Sequence, residues 1–305
     1  MLSSNRINME PTLIASVIGI IATTQIHISK GLQKYGIDAL RPEQDRNHPV
    51  DHQRRKKIAY FSGIILNNLA FLWVLVANLY APTSYYTSMF GFGLVVLMLF
   101  SEHILHEKHT ALQHIGAFII AAGTILIGLS RNTSEVPPMS AVELNTVLIF
   151  LAIYFPLNFL LIGLALKRRW KRTLGVLFGT LTGCAAAMDP ILKGIGQSFG
   201  TDIQLIPHTS AGWIIFLASF LFGAIAFSFT QIGFYKHART STLVAFHNIT
   251  LILNPLLLLT LSLPGFSLTR LQLAGVLVVV VGIALMFSEA TFSLLFNTKN
   301  KFIDK

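Results

Sequence analysis

The side chain in this sequence with the clearest capacity for chemistry is Asp189, a carboxylate inside an apolar run. A charged side chain in a membrane-spanning segment costs roughly 2.5–3.5 kcal/mol on insertion scales, so it usually lines a cavity or contacts a partner helix. Pro190 follows Asp189 and disfavours helical conformation at the residue before it. We therefore expect a broken helix whose free carbonyl oxygens and carboxylate together hold a substrate. If that substrate is a metal ion, Asp189 is the expected ligand.

A second interpretation of Asp189 is structural. Lys193 lies four residues further on, at the spacing where opposite charges pair on one face of a helix. Such an ion pair would hold both side chains in place without any substrate. The sequence leaves both interpretations open, and Lys193 joins Asp189 among the candidate substrate-binding residues.

Polar residues also recur at helical spacing in two other apolar runs. Ser16, Thr23 and His27 fall at i, i+7 and i+11 of the first run, which places them on one helix face. His247 and Asn254 are seven residues apart and share a face of a later run. Hydrogen bonding between helices is the structural explanation for such residues, and a polar path for a substrate is the functional one. The further candidates for substrate contact are Thr23, Gln25, His27, Asn67, Asn68, Gln231, His247, Asn248 and Asn254.

A short polar connection, "EHILHEKH", brings together His103, His106, Glu107 and His109. Imidazole and carboxylate groups can bind metal ions, but long polar side chains also gather at the membrane surface. His106 and His109 are three residues apart, whereas the zinc-protease motif requires four. The sequence also lacks a Walker-type phosphate loop. We therefore expect no enzyme and no ATP-driven pump, and no cofactor.

The elements that carry these residues are predicted to be membrane-spanning helices. The chain has 305 residues, of which 53% are hydrophobic and only 12% are charged. A helix of roughly 20 apolar residues crosses a hydrocarbon core of ~30 Å. For a single segment in lipid, only a helix lets the backbone N–H and C=O groups form hydrogen bonds within the segment. Nine runs meet this length, near 11–29, 58–79, 83–101, 111–130, 144–166, 173–192, 212–235, 241–263 and 271–290.

The distribution of basic residues predicts the orientation in the membrane. Lys and Arg collect in cytoplasmic loops. With the N-terminus outside, 19 of the 23 basic residues lie inside, eight of them in the 30–57 loop. The predicted location is the plasma membrane, with a cytoplasmic tail at 291–305. The net charge of +10 is thus explained by topology and by contact with anionic lipid, without a nucleic-acid partner. A homodimer is compatible with the sequence.

Short motifs recur at nearly one offset along the chain. Lys30-Gly31 matches Lys193-Gly194 at 163 residues, and "APTS" matches "ARTS" at 157. "LQHIG" matches "LQLAG" at 159, which pairs Gln113 with Gln272, Gly116 with Gly275 and Gly123 with Gly282. The sequence therefore predicts two four-helix units, 11–130 and 173–290. The helix at 144–166 lies between them, and this odd crossing places the second unit upside down relative to the first.

Several stretches resemble known transporter families. The third and fourth predicted helices resemble those of the small multidrug transporters, including a glycine break at Gly91 and Gly93. The doubled unit resembles the drug/metabolite transporter (EamA-like) superfamily. Within it, "SKGL" before a long basic loop, "YAPTS" and "FTQIGFY" resemble the NIPA-type magnesium transporters most closely. This resemblance implies a secondary transporter with inverted repeats and Mg²⁺ or another divalent cation as its substrate.

Two features of the sequence qualify that expectation. Small multidrug transporters couple to protons through a carboxylate in the first helix, whereas "IASVIGIIATT" offers Ser16 and Gly19 but no acid. The spans also lack the several carboxylates that a dry Mg²⁺ cage needs, so the ion would pass largely hydrated, past amides such as Asn67, Gln231 and Asn248. A small organic metabolite or drug is therefore an equal alternative. A membrane enzyme or scaffold is the remaining one.

Overall fold

The computed structural model describes residues 10–36, 50–104, 106, 109–130, 139–168, 170–200, 203–235 and 240–286. These residues form α-helices and one short 3-10 turn at Met139–Ala141, with no strand among them, so the all-helical prediction is confirmed. The helices are α1 (Pro11–Gly36), α2 (Val50–Leu69), α3 (Phe71–Asn78), α4 (Thr83–Ser88), α5 (Phe90–His103), α6 (Ala111–Leu129), α7 (Leu144–Lys167), α8 (Lys171–Ser198), α9 (Ser210–Tyr235), α10 (Thr240–Ser262) and α11 (Arg270–Met286).

Six segments of the described chain are helical, long and apolar enough to cross a membrane: Pro11–Gln33, Gln53–Asn78, Thr83–His103, Leu144–Lys167, Thr173–Ser198 and Ser210–Gly233. Three further apolar helices are shorter, Ala111–Ile127, Phe246–Ser262 and Arg270–Met286. Each of the nine segments overlaps one of the nine predicted spans. The predicted 291–305 tail and most of the 30–57 loop lie outside the described residues.

Two of the predicted spans contain a tight turn that the apolar pattern does not reveal. At Ala70, between α2 and α3, the backbone makes i to i+3 hydrogen bonds, from Ala70 N to Asn67 O (3.4 Å) and from Trp73 N to Ala70 O (3.2 Å). Met89 joins α4 to α5 in the same way, two residues before the expected glycine break at Gly91. In each case the helical segment therefore continues after a single 3-10 step.

The expectation of a broken helix at Asp189 is wrong. Helix α8 is continuous from Lys171 to Ser198, with Pro190 inside it. Membrane helices tolerate proline within them. Here the carbonyl oxygen of Pro190 accepts hydrogen bonds from Asn78 Nδ2 and from Thr83 Oγ1, each at 3.2 Å. The polar environment of this proline therefore comes from the facing helices.

The packing of the bundle places α8 at its centre and α2, α7 and α9 at its periphery. Helix α1 packs mainly on α2 and α5, α8 packs mainly on α9 and α10, and α6 packs along α11. The outer faces of the peripheral helices carry large apolar side chains that are exposed, among them Ile58, Phe61, Ile65, Ile149, Ile153, Leu160, Ile214, Leu217 and Leu221. Surfaces of this kind suit contact with lipid rather than with water.

Helices α6 and α11 approach each other until their backbones touch. A Cβ built on Gly116 would lie 2.7 Å from the Gly282 carbonyl oxygen, and one on Gly123 would lie 2.8 Å from that of Gly275. A later residue of α6 contacts an earlier residue of α11, so the two helices run antiparallel. Small residues allow such close contact in membrane bundles, where packing rather than the hydrophobic effect drives association.

Candidate substrate site

Asp189 and Lys193 form an ion pair one turn apart on α8. The Lys193 side chain is 1% exposed, and its ammonium group also lies 4.2 Å from the ring centroid of Phe220 on α9. Asp189 keeps 20% of its side-chain surface accessible, although it lies well inside the helix. The carboxylate therefore holds the buried lysine and still keeps part of its own surface accessible.

Helices α4 and α9 supply the polar groups around this pair. Ser219 of α9 lies close enough to Asp189 for a hydrogen bond. The Tyr86 hydroxyl of α4 is within electrostatic range of the carboxylate, is buried, and has no hydrogen-bond partner among the described residues. Ser84 Oγ, on the same helix, is likewise buried and unpartnered in the described structure. The Tyr86 hydroxyl is thus available to bond to a ligand beside the ion pair.

A buried amide network connects α3 and α4 to α8 one turn beyond this pair. Asn78 Nδ2 donates to Gln197 Oε1 at 3.1 Å, and Thr83 Oγ1 donates to Asn78 Oδ1 at 3.0 Å. Gln197 Nε2 in turn donates to the carbonyl oxygens of Leu75 (3.0 Å) and Leu205 (3.1 Å). With all its groups bonded, the network fixes the helices rather than offering a site.

Four of the other predicted site residues meet between α1 and α10. We call Thr23, His27, Lys30, His247 and Asn248 the His27 cluster. His27 Nδ1 lies 2.8 Å from the Thr23 carbonyl oxygen, and Thr23 Oγ1 donates to the Phe90 carbonyl oxygen at 3.2 Å. Asn248 lies beside the His27 ring, and His247 is within electrostatic range of both His27 and Lys30. Four of the predicted contacts, Thr23, His27, His247 and Asn248, therefore share one polar region.

The predicted residues on the α1–α2–α3 side make structural contacts. Gln25 Nε2 donates to the Leu66 carbonyl oxygen at 2.8 Å, and its Oε1 accepts from Trp73 Nε1 at 2.8 Å. Asn67 Oδ1 accepts from Ser29 Oγ at 3.4 Å. Asn68 is exposed and bonds within its own helix to the Ile64 carbonyl oxygen at 2.8 Å. Helix packing explains these three residues without a substrate.

The remaining two predicted residues lie apart from both polar regions. Asn254 of α10 is close to Tyr154 of α7 and to Cys184 of α8, and its Nδ2 is buried with no hydrogen-bond partner among the described residues. Tyr154 donates to the Thr180 carbonyl oxygen at 3.1 Å, which attaches α7 to α8. Gln231 is half-buried near the end of α9. The structure thus brings Asn254 to the helix interface of α7 and leaves Gln231 outside it.

The histidine-rich connection shows no metal-binding geometry in its described residues. His103 Nδ1 bonds within its helix to the Leu99 carbonyl oxygen at 2.9 Å. His109 Nε2 lies 2.7 Å from Ser101 Oγ, and Glu107 lies outside the described residues. Across the part of the chain that the structure describes, no three His, Cys, Asp or Glu side chains are grouped to hold a metal ion.

Sequence analysis missed the roles of Tyr86, Ser84, Thr83 and Gln197. Tyr86 and Ser84 lie in "APTSYY". The first four residues of this segment are one of the short motifs that recur along the chain, and this recurrence was a sequence signal that the segment matters. Gln197 is a single polar residue after the predicted end of its span at 192. Its role becomes visible only because α8 continues to Ser198.

Comparison with known proteins gives one distant similarity. A protein of Arabidopsis thaliana named "Probable magnesium transporter NIPA9" is 26% identical over 196 residues. The match covers 61% of this chain and 57% of that protein's length. No protein-family model matches the chain, and no solved structure matches it. Together with the apolar helices, the similarity supports an integral membrane protein distantly similar to NIPA-type transporters.

Proposed function

We propose that this protein is a secondary transporter of the drug/metabolite type, built from two inverted four-helix units. Residues 11–130 form the first unit, 173–290 form the second, and the helix at 144–166 links them. The observation that carries the proposal is the reciprocity of the α6–α11 contact. Gly116 faces Gly282, while Gly123 faces Gly275. The repeat offset of 159 converts the first of these contacts into the second.

Contacts related in this way are what a two-fold axis between equivalent helices produces. For antiparallel helices crossing a membrane, that axis lies in the membrane plane. The starts of the two helices support the same equivalence. Thr110 and Gln113 form a reciprocal capping box before α6, and Thr269 and Gln272, each 159 residues later, form the same box before α11.

The packing order of the other helices agrees with the proposed repeat. In the first unit α1 packs on α2 and α5, and in the second α8 packs on α9 and α10. Each polar region also joins the two units: Asn78 reaches Gln197, Tyr86 lies near Asp189, and Asn248 lies beside His27. Transport by rocking of one unit against the other would act on these contacts.

The substrate that the relative's name suggests for the proposed transporter is Mg²⁺ or another divalent cation. Asp189 is the one acidic side chain clearly within the proposed spans, so it is the candidate ligand, with the Tyr86 hydroxyl beside it. Mg²⁺ loses its waters reluctantly and is often bound through one or two carboxylates while keeping the rest. A largely hydrated ion fits this arrangement better than a dry one.

A small organic molecule is the second candidate substrate. The observation that favours it is the pairing of Asp189 with Lys193, because the ammonium group opposes a cation at the carboxylate. Binding of Mg²⁺ would require Lys193 to move away or to lose its proton. An organic molecule could instead bond to the free hydroxyl groups of Tyr86 and Ser84. Membrane enzyme and scaffold roles have no comparable support.

Complementation tests the cation proposal. In a strain deficient in magnesium uptake, the wild-type chain is expected to restore growth at low Mg²⁺, and Asp189→Asn is expected to fail at equal surface expression. His114→Gln, at a half-exposed side chain that belongs to neither polar region, is the matched control and should restore growth. Absence of rescue by the wild-type chain, with expression confirmed, favours the organic substrate.

The proposed location is the plasma membrane. In the proposed topology the N-terminus lies outside the cell and the C-terminus lies in the cytoplasm. In that orientation the His27 cluster lies towards the cytoplasmic side of α1. The Asp189 pair lies towards the outer side of α8. The two regions would then be the inner and outer parts of one substrate path, in keeping with inverted units.

A further inference from the structure

The outer face of α2, which belongs to neither polar region, carries an open groove. Its volume is about 490 Å³, and the residues that line it include Arg54, Lys57, Ile58, Phe61, Ser62 and Ile65. The opposite face of α2 packs on α1, where a Cβ on Gly63 would lie 2.7 Å from the Ser29 carbonyl oxygen. The groove therefore opens away from α1 and towards the surroundings of the protein.

The groove is charged at one end and apolar along the rest of its length. Arg54 and Lys57 lie near the start of the candidate span Gln53–Asn78, and both are exposed. Positions 54, 58, 61 and 65 recur at helical spacing, which places them on one face of α2. The apolar side chains on this face are more than half exposed: Ile58, Phe61 and Ile65. A charged end thus continues directly into an apolar face.

The charged end of the groove is basic. The four consecutive residues 54–57 are all Arg or Lys, and the first turn of α2 contains one acidic residue, Asp51. The Lys56 ammonium lies 5.9 Å from the ring centroid of Tyr35 on α1, so this cation is directed away from the groove. Arg54 and Lys57 are the basic side chains that line it. Basic clusters at the end of a membrane span attract anionic lipid headgroups.

The length of the groove matches the depth of one membrane leaflet. Ile65 follows Arg54 by eleven positions, which corresponds to about 16 Å along a helix. One leaflet supplies half of a hydrocarbon core of ~30 Å, or about 15 Å. A phospholipid whose headgroup contacts Arg54 can therefore extend an acyl chain as far as Ile65.

Two other occupants fit this face less well. A second copy of the chain in the same orientation would bring two basic clusters together, and repulsion between like charges opposes such a contact. A small soluble anion could pair with Arg54 and Lys57, but it would leave the apolar part of the groove uncovered. An anionic phospholipid complements both parts of the groove at once.

We propose that this groove binds one anionic phospholipid. Its phosphate group pairs with Arg54 and Lys57, and an acyl chain lies along Ile58, Phe61 and Ile65. The bound lipid holds the start of α2 at the membrane surface. This site requires that the chain is an integral membrane protein, but it does not depend on the proposed transport function.

The experiment is native mass spectrometry of the full-length chain in a neutral detergent, titrated with dioleoyl phosphatidylglycerol or dioleoyl phosphatidylcholine. The wild type is expected to bind the anionic phosphatidylglycerol more tightly. The double variant Arg54→Gln, Lys57→Gln should weaken phosphatidylglycerol binding by roughly 25-fold, about fivefold for each basic side chain, and leave phosphatidylcholine binding unchanged. Equal affinity of the wild type for the two lipids would overturn the proposal.

A matched variant separates the groove from net charge. Lys167→Gln removes an exposed basic side chain at the end of another peripheral span, Leu144–Lys167, and should leave the affinity for phosphatidylglycerol unchanged. The single variant Arg54→Gln should lower that affinity about fivefold. An equal loss in the two single variants would show that net charge, rather than the groove, determines binding.

Two further comparisons test the position of the acyl chain. Phe61→Ala should weaken phosphatidylglycerol binding, whereas Leu160→Ala, at an exposed apolar residue of α7, should not. Glycerol 3-phosphate has the phosphate group without acyl chains and should not displace the lipid at equal concentration. Equal effects of the two alanine variants, or displacement by glycerol 3-phosphate, would contradict a lipid that extends along α2.

Discussion

Gly123 and Gly275 face each other across the α6–α11 interface, each directed at the carbonyl oxygen of the other. A Cβ added to Gly123 would lie 2.8 Å from the Gly275 oxygen, and one added to Gly275 would lie 2.9 Å from the Gly123 oxygen. Real Cβ atoms do not approach an oxygen so closely without a shift of the backbone. This contact between the first and second proposed units therefore tolerates no side chain on either helix.

The first prediction concerns that contact. Gly123→Ala and Gly275→Ala should each force α6 and α11 apart and lower the free energy of unfolding by about 1–3 kcal/mol, the range for overpacked positions. Gly163→Ala is the matched control, because nothing lies within 4 Å of a Cβ there. It should be neutral or slightly stabilising, since alanine favours a helix over glycine. Thermal unfolding of the purified protein in detergent is the measurement, and equal effects at the three positions would contradict the packing.

The apolar runs predicted the helices because such runs depend on local composition, and length alone identifies a run such as 144–166 as a membrane helix. The offset of 159 paired Gly116 with Gly275 as equivalent positions, but it did not predict that Gly116 meets Gly282 and that Gly123 meets Gly275. The turns at Ala70 and Met89 could not be predicted, since an i to i+3 step leaves the apolar pattern unchanged. The continuous α8 was missed because Pro190 was expected to break the helix, whereas membrane helices tolerate proline.

The second prediction concerns the Asp189 pair. Asp189→Asn leaves the buried Lys193 ammonium without an anion, and breaking a buried ion pair in this way costs about 3–5 kcal/mol at most. The loss should be smaller here because Asp189 keeps 20% of its surface accessible. The double variant Asp189→Asn, Lys193→Gln should recover most of the stability. If the double variant also transports like the wild type, both residues are structural.

The candidate site could be predicted only in part. Helical spacing grouped His247 with Asn254, but the structure places His247 in the His27 cluster and Asn254 beside Tyr154. Spacing also could not show that Asn248 lies beside His27. That relation depends on how α1 and α10 pack. Gln25 shows that a polar residue in an apolar run need not contact a substrate. A hydrogen bond between helices, such as that of Gln25 with Trp73, explains it equally well.

The third prediction concerns Gln197. Gln197→Ala removes the donor for the Leu75 and Leu205 carbonyl oxygens and the acceptor for Asn78. Buried groups left unpaired in this way should lower the free energy of unfolding by about 1–3 kcal/mol. Asn68→Ala, at an exposed amide that bonds within its own helix, is the control and should change stability by less than about 0.5 kcal/mol. No difference between the two variants would mean that the network does not stabilise the bundle.

The fourth prediction concerns topology. In a Cys184→Ala background, which removes the single native thiol, Asp45→Cys should be protected from a membrane-impermeant reagent in intact cells. Ser134→Cys should react, because the proposed orientation places it outside. Labelling after permeabilisation is the control for reactivity. The reverse pattern, with residue 45 accessible from outside, would show that the orientation is inverted.

Transport by the purified protein tests the central claim most directly. The full-length chain is reconstituted into liposomes, and uptake of Mg²⁺, other divalent cations and a panel of labelled organic metabolites is measured against protein-free liposomes. We expect saturable uptake of at least one of these substrates by the wild-type protein and loss of this uptake in Asp189→Asn. Flux equal to that of protein-free liposomes for every compound, with the protein shown to be folded and inserted, would contradict it.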